Sequence, residues 1–124
     1  MDKEILNSFT SSVERLNEIV KAPKTVANRD SAIKRFELTA ELGWKVIKEY
    51  LRDKEIICRS PRECLLEAFK AGLISDNPLW LRVLEDRNLS VHTYNEKLAE
   101  DIYGRLKDYL TLFIELKSSL KQTK

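Results

Sequence analysis

Glycine and proline are scarce in this sequence, three of each in 124 residues. That excludes an all-β sandwich or barrel, which needs a turn about every ten residues. Histidine occurs once and cysteine twice. Cys58 and Cys64 form a lone C-x5-C pair that one histidine cannot complete into a zinc site, so no metal is expected and both are read as buried thiols. No apolar run approaches the roughly 20 residues of a membrane span. Met1-Asp2-Lys3-Glu4-Ile5 lacks the charged-then-apolar layout of a signal peptide. A soluble, cytoplasmic protein with no membrane partner is expected. Excess charge is missing too: 22 Lys and Arg against 20 Asp and Glu leave +2, so any contact with RNA must come from a local site rather than a polybasic surface. There is no glycine-rich phosphate loop, internal repeat or low-complexity tract.

What is present is helical periodicity. Hydrophobic residues make up 43% and charged residues 34%, enough apolar surface for one domain, taken as residues 1–124. Ile5, Leu6, Phe9, Val13, Leu16, Ile19 and Val20 recur at helical spacing, and Ala22-Pro23-Lys24-Thr25 breaks the pattern. A second helix is expected over about residues 30–51, with Ile33, Phe36, Ala40, Gly43, Ile47 and Leu51 on one stripe. Ser60-Pro61-Arg62-Glu63 is a capping box with proline at the first helical position. Its helix carries Leu65, Leu66, Phe69 and Leu73, with Gly72 near the end. Asn77-Pro78 opens a fourth helix through Trp80, Leu81 and Leu84 towards His92. The last helix runs over about residues 95–121 on Leu98, Ile102, Leu106, Tyr109, Phe113 and Leu120. The expected fold is all-α: an antiparallel up-and-down four-helix bundle with the short helix at 62–73 packed against it.

Chemistry concentrates in Glu85-Asp86-Arg87-Asn88-Leu89-Ser90-Val91-His92-Thr93-Tyr94, which holds the single histidine. On spacing alone, a helix end with a capping histidine and an ion-paired arginine explains it. In an unbroken helix Arg87 and His92 lie about 140° apart, whereas Glu85, Asn88 and His92 share a face. Joint action of Arg87 and His92 therefore requires the helix to bend or end near 90–92, or the arginine to reach round. Trp44 and Trp80 sit in apolar stripes and read first as core or dimer contacts rather than base-stacking surfaces. Glu37 and Glu41, four apart, read as a solvated face paired with Lys34 and Lys45.

Arg87-x4-His92-x-Tyr94 resembles the R-x4-H-x-Y motif of the HEPN superfamily (higher eukaryotes and prokaryotes nucleotide-binding). The wider chain resembles its branch of nucleotidyltransferase substrate-binding proteins. The likeness rests on Arg35-Phe36-Glu37-Leu38 with Glu41-Leu42-Gly43-Trp44-Lys45, on Ser60-Pro61-Arg62-Glu63 with Glu67-Ala68-Phe69-Lys70-Ala71-Gly72-Leu73-Ile74, and on Trp80-Leu81 leading into the motif. It spans roughly residues 30–110. The resemblance implies a homodimer partnered with a minimal nucleotidyltransferase. It further implies a metal-independent endoribonuclease toxin with Arg87 and His92 as the catalytic pair and Tyr94 as an AMPylation site that neutralises it. Asn88, Glu85 and Asp86 are expected in support: Asn88 to orient the imidazole or bind phosphate, Glu85 or Asp86 to hold Arg87 or His92. No cofactor is expected.

The residue types suit that chemistry. An imidazole exchanges protons near neutral pH, and a guanidinium grips two phosphate oxygens at once. The alternative function is a non-catalytic subunit presenting a nucleotide or another substrate to a nucleotidyltransferase. Arginine plus histidine serves both.

Overall fold

Asp2 starts the first helix: its carboxylate accepts the Glu4 amide at 2.9 Å, and α1 runs Lys3–Lys21. In this computed structural model, which describes residues 1–122, the other helices are α2 Val26–Asp53, α3 Pro61–Lys70, α4 Leu79–Leu89 and α5 Glu96–Gln122. A 3-10 turn, Ser90–His92, continues α4. The described residues contain no strand.

Local signals account for most boundaries. Thr25 Oγ1 accepts the Asn28 amide at 3.0 Å, and Asn28 Nδ2 donates back to the Pro23 carbonyl at 2.8 Å. Hence α2 begins at Val26, four residues before the expected start. The sequence hid that first turn because it contains Arg29, which looks like a solvent-facing residue but is only 3% exposed. At Ser60 the capping box forms as expected: Ser60 Oγ accepts the Glu63 amide at 3.1 Å and Glu63 Oε1 accepts the Arg59 amide at 3.0 Å. Asn77 Oδ1 accepts the Leu79 amide at 3.0 Å, so asparagine rather than proline caps α4.

Two helices end in the same hydrogen-bond pattern. After α3, Gly72 adopts φ 79° while the Leu73 amide bonds the Ala68 carbonyl and the Gly72 amide bonds that of Phe69. This is the six-to-one and five-to-two pairing of a Schellman cap, for which glycine is preferred. After α2 the same bonds run from Ile56 to Leu51 and from Glu55 to Arg52, with Glu55 at φ 62°. A non-glycine residue there carries the backbone cost of the left-handed region.

Cys58 and Cys64 are buried, at 1% and 0% exposure, but they are not thiols. They form a disulfide with Cα atoms 5.1 Å apart, correcting the sequence reading. Reciprocal capping at Ser60 and Glu63 folds the extended approach back on the first turn of α3, which brings the two sulfurs together.

The four-residue connection between α1 and α2 reverses the chain. α2 packs on all the other helices, α5 packs on α1, α2 and α4, and α3 touches only α2 and α4. Three long helices plus α4 therefore make the bundle, with α3 on its flank. Phe36 stacks on Tyr109 at 5.4 Å, and Phe113 meets Phe9 and Trp80 edge-on at 6.4 and 6.0 Å. Gly43 packs against α1: a Cβ there would sit 3.4 Å from the Phe9 ring. Trp80, 6% exposed, is a core residue. This core fixes α4 against α2 and α5, and so fixes the frame from which the motif residues project.

Candidate active site at the end of α4

Residues 86 and 87 follow one another on α4 and face different helices, Asp86 towards α5 and Arg87 towards α2. Asp86, 1% exposed, accepts from Arg105 Nε at 2.7 Å, Arg105 Nη2 at 2.9 Å and the Tyr109 hydroxyl at 2.6 Å. Burial, and then the bond to Asp86, raises the Tyr109 phenol above its ordinary value, so it remains a neutral donor. Asp86 thus anchors α4 to α5 and does not hold Arg87 or His92, contrary to one expected role. The carboxylate paired with Arg87 is Glu41 of α2. Its side chain is 29% exposed, against 42% for Arg87, and it also lies 3.7 Å from Lys45. Arg87 further donates to Asn88 Oδ1 at 3.4 Å. Glu37 pairs with Lys34 at 3.5 Å, as its spacing suggested.

The helix tightens just where the 140° offset demanded a change. Ser90 Oγ donates to the Arg87 carbonyl at 2.7 Å and Thr93 Oγ1 donates to the Ser90 carbonyl at 3.1 Å. These hydroxyls satisfy the carbonyls of the last α-helical turn and the 3-10 turn. His92 and Tyr94 emerge from the turn on the surface, with His92 Nδ1 and the Tyr94 hydroxyl 3.1 Å apart. Their rings meet edge-on at 5.7 Å. Tyr94 is 81% exposed, and Leu89 and Val91 beside it are exposed apolar residues. Glu85, Arg87 and Asn88 line a cavity of about 330 Å³ between α2 and α4, which also takes in Trp44, Leu84 and Arg62. His92 and Tyr94 lie outside that cavity, so the motif is divided between a groove and the turn beyond it.

Beyond the motif, Asn95 caps α5 by accepting the Leu98 amide at 3.1 Å. The start of α5 is then clasped to the start of α2. Arg29 Nη1 donates to Glu96 at 2.8 Å and to Glu100 at 2.9 Å, and Lys24 reaches Glu100 at 2.5 Å. The Arg29 guanidinium holds Glu96 below the ordinary carboxylate range, and Lys24 with Arg29 does the same for Glu100. The motif segment is thereby pinned on both sides, by Asp86 before it and by Glu96 after it. Arg29, Glu41 and Arg105 were not legible as partners, because the residues they meet lie 19 to 71 positions away.

The sequence pattern of the proteins described as nucleotidyltransferase substrate binding protein like matches residues 4–122. The chain belongs to that family. It is 31% identical over 96 residues to the probable ribonuclease HepT of Haemophilus influenzae. That match takes in 73% of this chain and 66%, just under two thirds, of the relative's length. A crystal structure from Thermus thermophilus superposes with a TM-score of 0.86 at 38% identity, covering 90% of this chain and 98% of that one. A Haemophilus influenzae structure, described as revealing the fold of a substrate binding domain of a nucleotidyltransferase, superposes with a TM-score of 0.84 at 26% identity. It covers 94% of this chain and 98% of its own. This family member thus shares both the helical fold and its order with solved relatives.

Proposed function

We propose that this chain partners a minimal nucleotidyltransferase and is a metal-independent endoribonuclease, with Arg87 and His92 as its catalytic pair and Tyr94 as the residue through which the partner silences it. The observation that carries the reading is the end of α4: an arginine with one half-exposed counter-ion, and beyond it a surface imidazole in contact with an exposed phenol. Similarity to a probable ribonuclease supports the activity, and similarity to a substrate binding domain of a nucleotidyltransferase supports the partner.

In the proposed reaction the RNA 2′-oxygen attacks the adjacent phosphorus and its proton passes to His92. Arg87 exchanges Glu41 for the phosphate oxygens and stabilises the charge of the pentavalent transition state. The P–O5′ bond breaks as the leaving oxygen takes a proton. One chain offers one histidine, so a second copy of His92 across a two-fold axis supplies that proton. The products are a 2′,3′-cyclic phosphate and a 5′-hydroxyl. The exposed apolar residues Leu89 and Val91 beside the turn fit a homodimer there. Silencing transfers AMP from ATP: the Tyr94 oxygen attacks the α-phosphorus, the phenolic proton is lost and pyrophosphate leaves. The phosphodiester then brings a negative charge beside His92 and Arg87, and the adenosine obstructs RNA.

The test is expression without and with the cognate nucleotidyltransferase. Toxicity and EDTA-resistant cleavage are expected alone, both lost in His92→Ala. With the partner and ATP, mass spectrometry is expected to find AMP on the Tyr94 peptide, and Tyr94→Phe to stay toxic. A non-toxic chain that binds nucleotide but never cleaves RNA would support the second reading, a substrate-presenting subunit. The description of the Haemophilus influenzae structure favours that reading.

A further inference from the structure

The cavity beside Arg87 holds two features that the proposed catalytic pair does not use, Trp44 and Arg62. Trp44 is only half-buried on α2 and takes no part in the aromatic cluster of Phe9, Phe36, Trp80, Tyr109 and Phe113. The Lys48 ammonium lies 5.7 Å from its ring centroid, so the indole already sits in a cationic setting. Arg62 projects from the first turn of α3, is exposed, and its guanidinium has no hydrogen bond or ion pair among the described residues. Its backbone is firmly placed even so. It lies inside the loop closed by the Cys58–Cys64 disulfide and inside the Ser60–Glu63 capping box. The cavity thus joins a partly exposed indole at the edge of the core to a cation without a counter-ion, with Arg87 also in its lining.

We propose that this groove is a subsite for the nucleotide flanking the scissile phosphate, whose base stacks on Trp44 and whose phosphate pairs with Arg62. The inference rests on the RNA-cleaving reading and extends it to how the strand is held. A volume of about 330 Å³ falls at the small end of ligand pockets, the scale of one nucleotide. Stacking on an indole with phosphate pairing to a neighbouring guanidinium is how single strands are held without sequence-specific contacts. Glu85 also lines the groove, whereas Glu41 is outside the lining and is shared by Arg87 and Lys45. In the lining itself Arg62 and Arg87 face a single carboxylate, that of Glu85. A phosphate therefore has a free partner at the α3 end, away from Glu41.

The probe is a short single-stranded 2′-O-methyl oligoribonucleotide, in which the attacking oxygen is blocked, so occupancy is read without cleavage. Binding is expected to change Trp44 fluorescence while the buried Trp80 stays constant. Trp44→Leu is expected to weaken binding about tenfold, and Trp44→Phe, which keeps a stacking face, much less. Arg62→Gln is expected to weaken binding and reduce the salt dependence by about one phosphate contact. With cleavable RNA it is expected to raise KM more than it lowers kcat. Unchanged affinity and salt slope in Arg62→Gln, or equal binding by Trp44→Leu and wild type, would overturn the subsite. So would light scattering showing that Trp44→Leu only breaks a dimer. The two readings fail separately. Binding through Trp44 and Arg62 without cleavage of RNA removes the ribonuclease and keeps the groove. Full cleavage by both variants does the reverse.

Discussion

Asp86 and Arg87 are neighbours on one helix, yet one behaves as core and the other as a site. A helix turns about 100° between successive residues. One side chain therefore faces α5 and the other faces α2 and solvent. Asp86 has three donors at 2.6–2.9 Å and almost no exposure. Arg87 has one carboxylate partner on a half-open rim. Their counter-ions make the difference. A charge fully matched inside the protein has nothing left to offer a ligand, while a half-exposed pair can exchange its partner for phosphate at little cost.

The comparison breaks most sharply if the two sides are not separable. Arg87→Ala and His92→Ala are each expected to lower RNA cleavage by about 100-fold or more, with thermal unfolding unchanged. A variant that unfolds early instead would make Arg87 structural. Asp86→Ala is expected to do the opposite. It strands a guanidinium and a buried phenol, and chemical denaturation is expected to show a loss of about 3 kcal/mol. Asp86→Asn, which still accepts hydrogen bonds, is expected to lose less.

Glu41→Gln sharpens the contrast on the open side. It removes the anion that competes with RNA for Arg87, so affinity for the 2′-O-methyl oligonucleotide is expected to rise about threefold at low salt, within the range of an exposed ion pair. Weaker binding would mean that Glu41 positions Arg87 instead of competing for it. The smallest effect concerns the clasp of Arg29 with Glu96 and Glu100. Both carboxylates titrate lower in the folded chain than the ordinary glutamate value of about 4.3. Their stabilising contribution is therefore present above that pH and lost as pH falls through the folded values. The difference in Tm between wild type and Arg29→Met is expected to shrink from neutral pH towards about pH 3. A constant difference would put the role of Arg29 in packing alone.

Local chemistry made most of the fold legible. Leu16, Phe36, Ile102 and Phe113 are buried where their spacing placed them, and Ser60, Glu63, Asn77 and Gly72 start or stop helices as their residue types require. The resemblance in Arg87-x4-His92-x-Tyr94 was visible as a pattern, and so was the need for the helix to change course. How it changes course was not visible, since it rests on Ser90 and Thr93 turning back to carbonyls. Glu85 and Asp86 looked equivalent as supporting acids, although one lines the groove and the other is buried.

Helix positions, caps and the apolar stripes depend on residues within about four positions of one another, so the sequence alone determined them. Which carboxylate meets which guanidinium depends on where distant helices cross. Only the packed bundle could pair Glu41 with Arg87, Asp86 with Arg105 and Arg29 with Glu96. The cysteines lie on the same boundary. Six positions apart, they could have remained buried thiols, and it is the fold-back of the chain onto α3 that joins them.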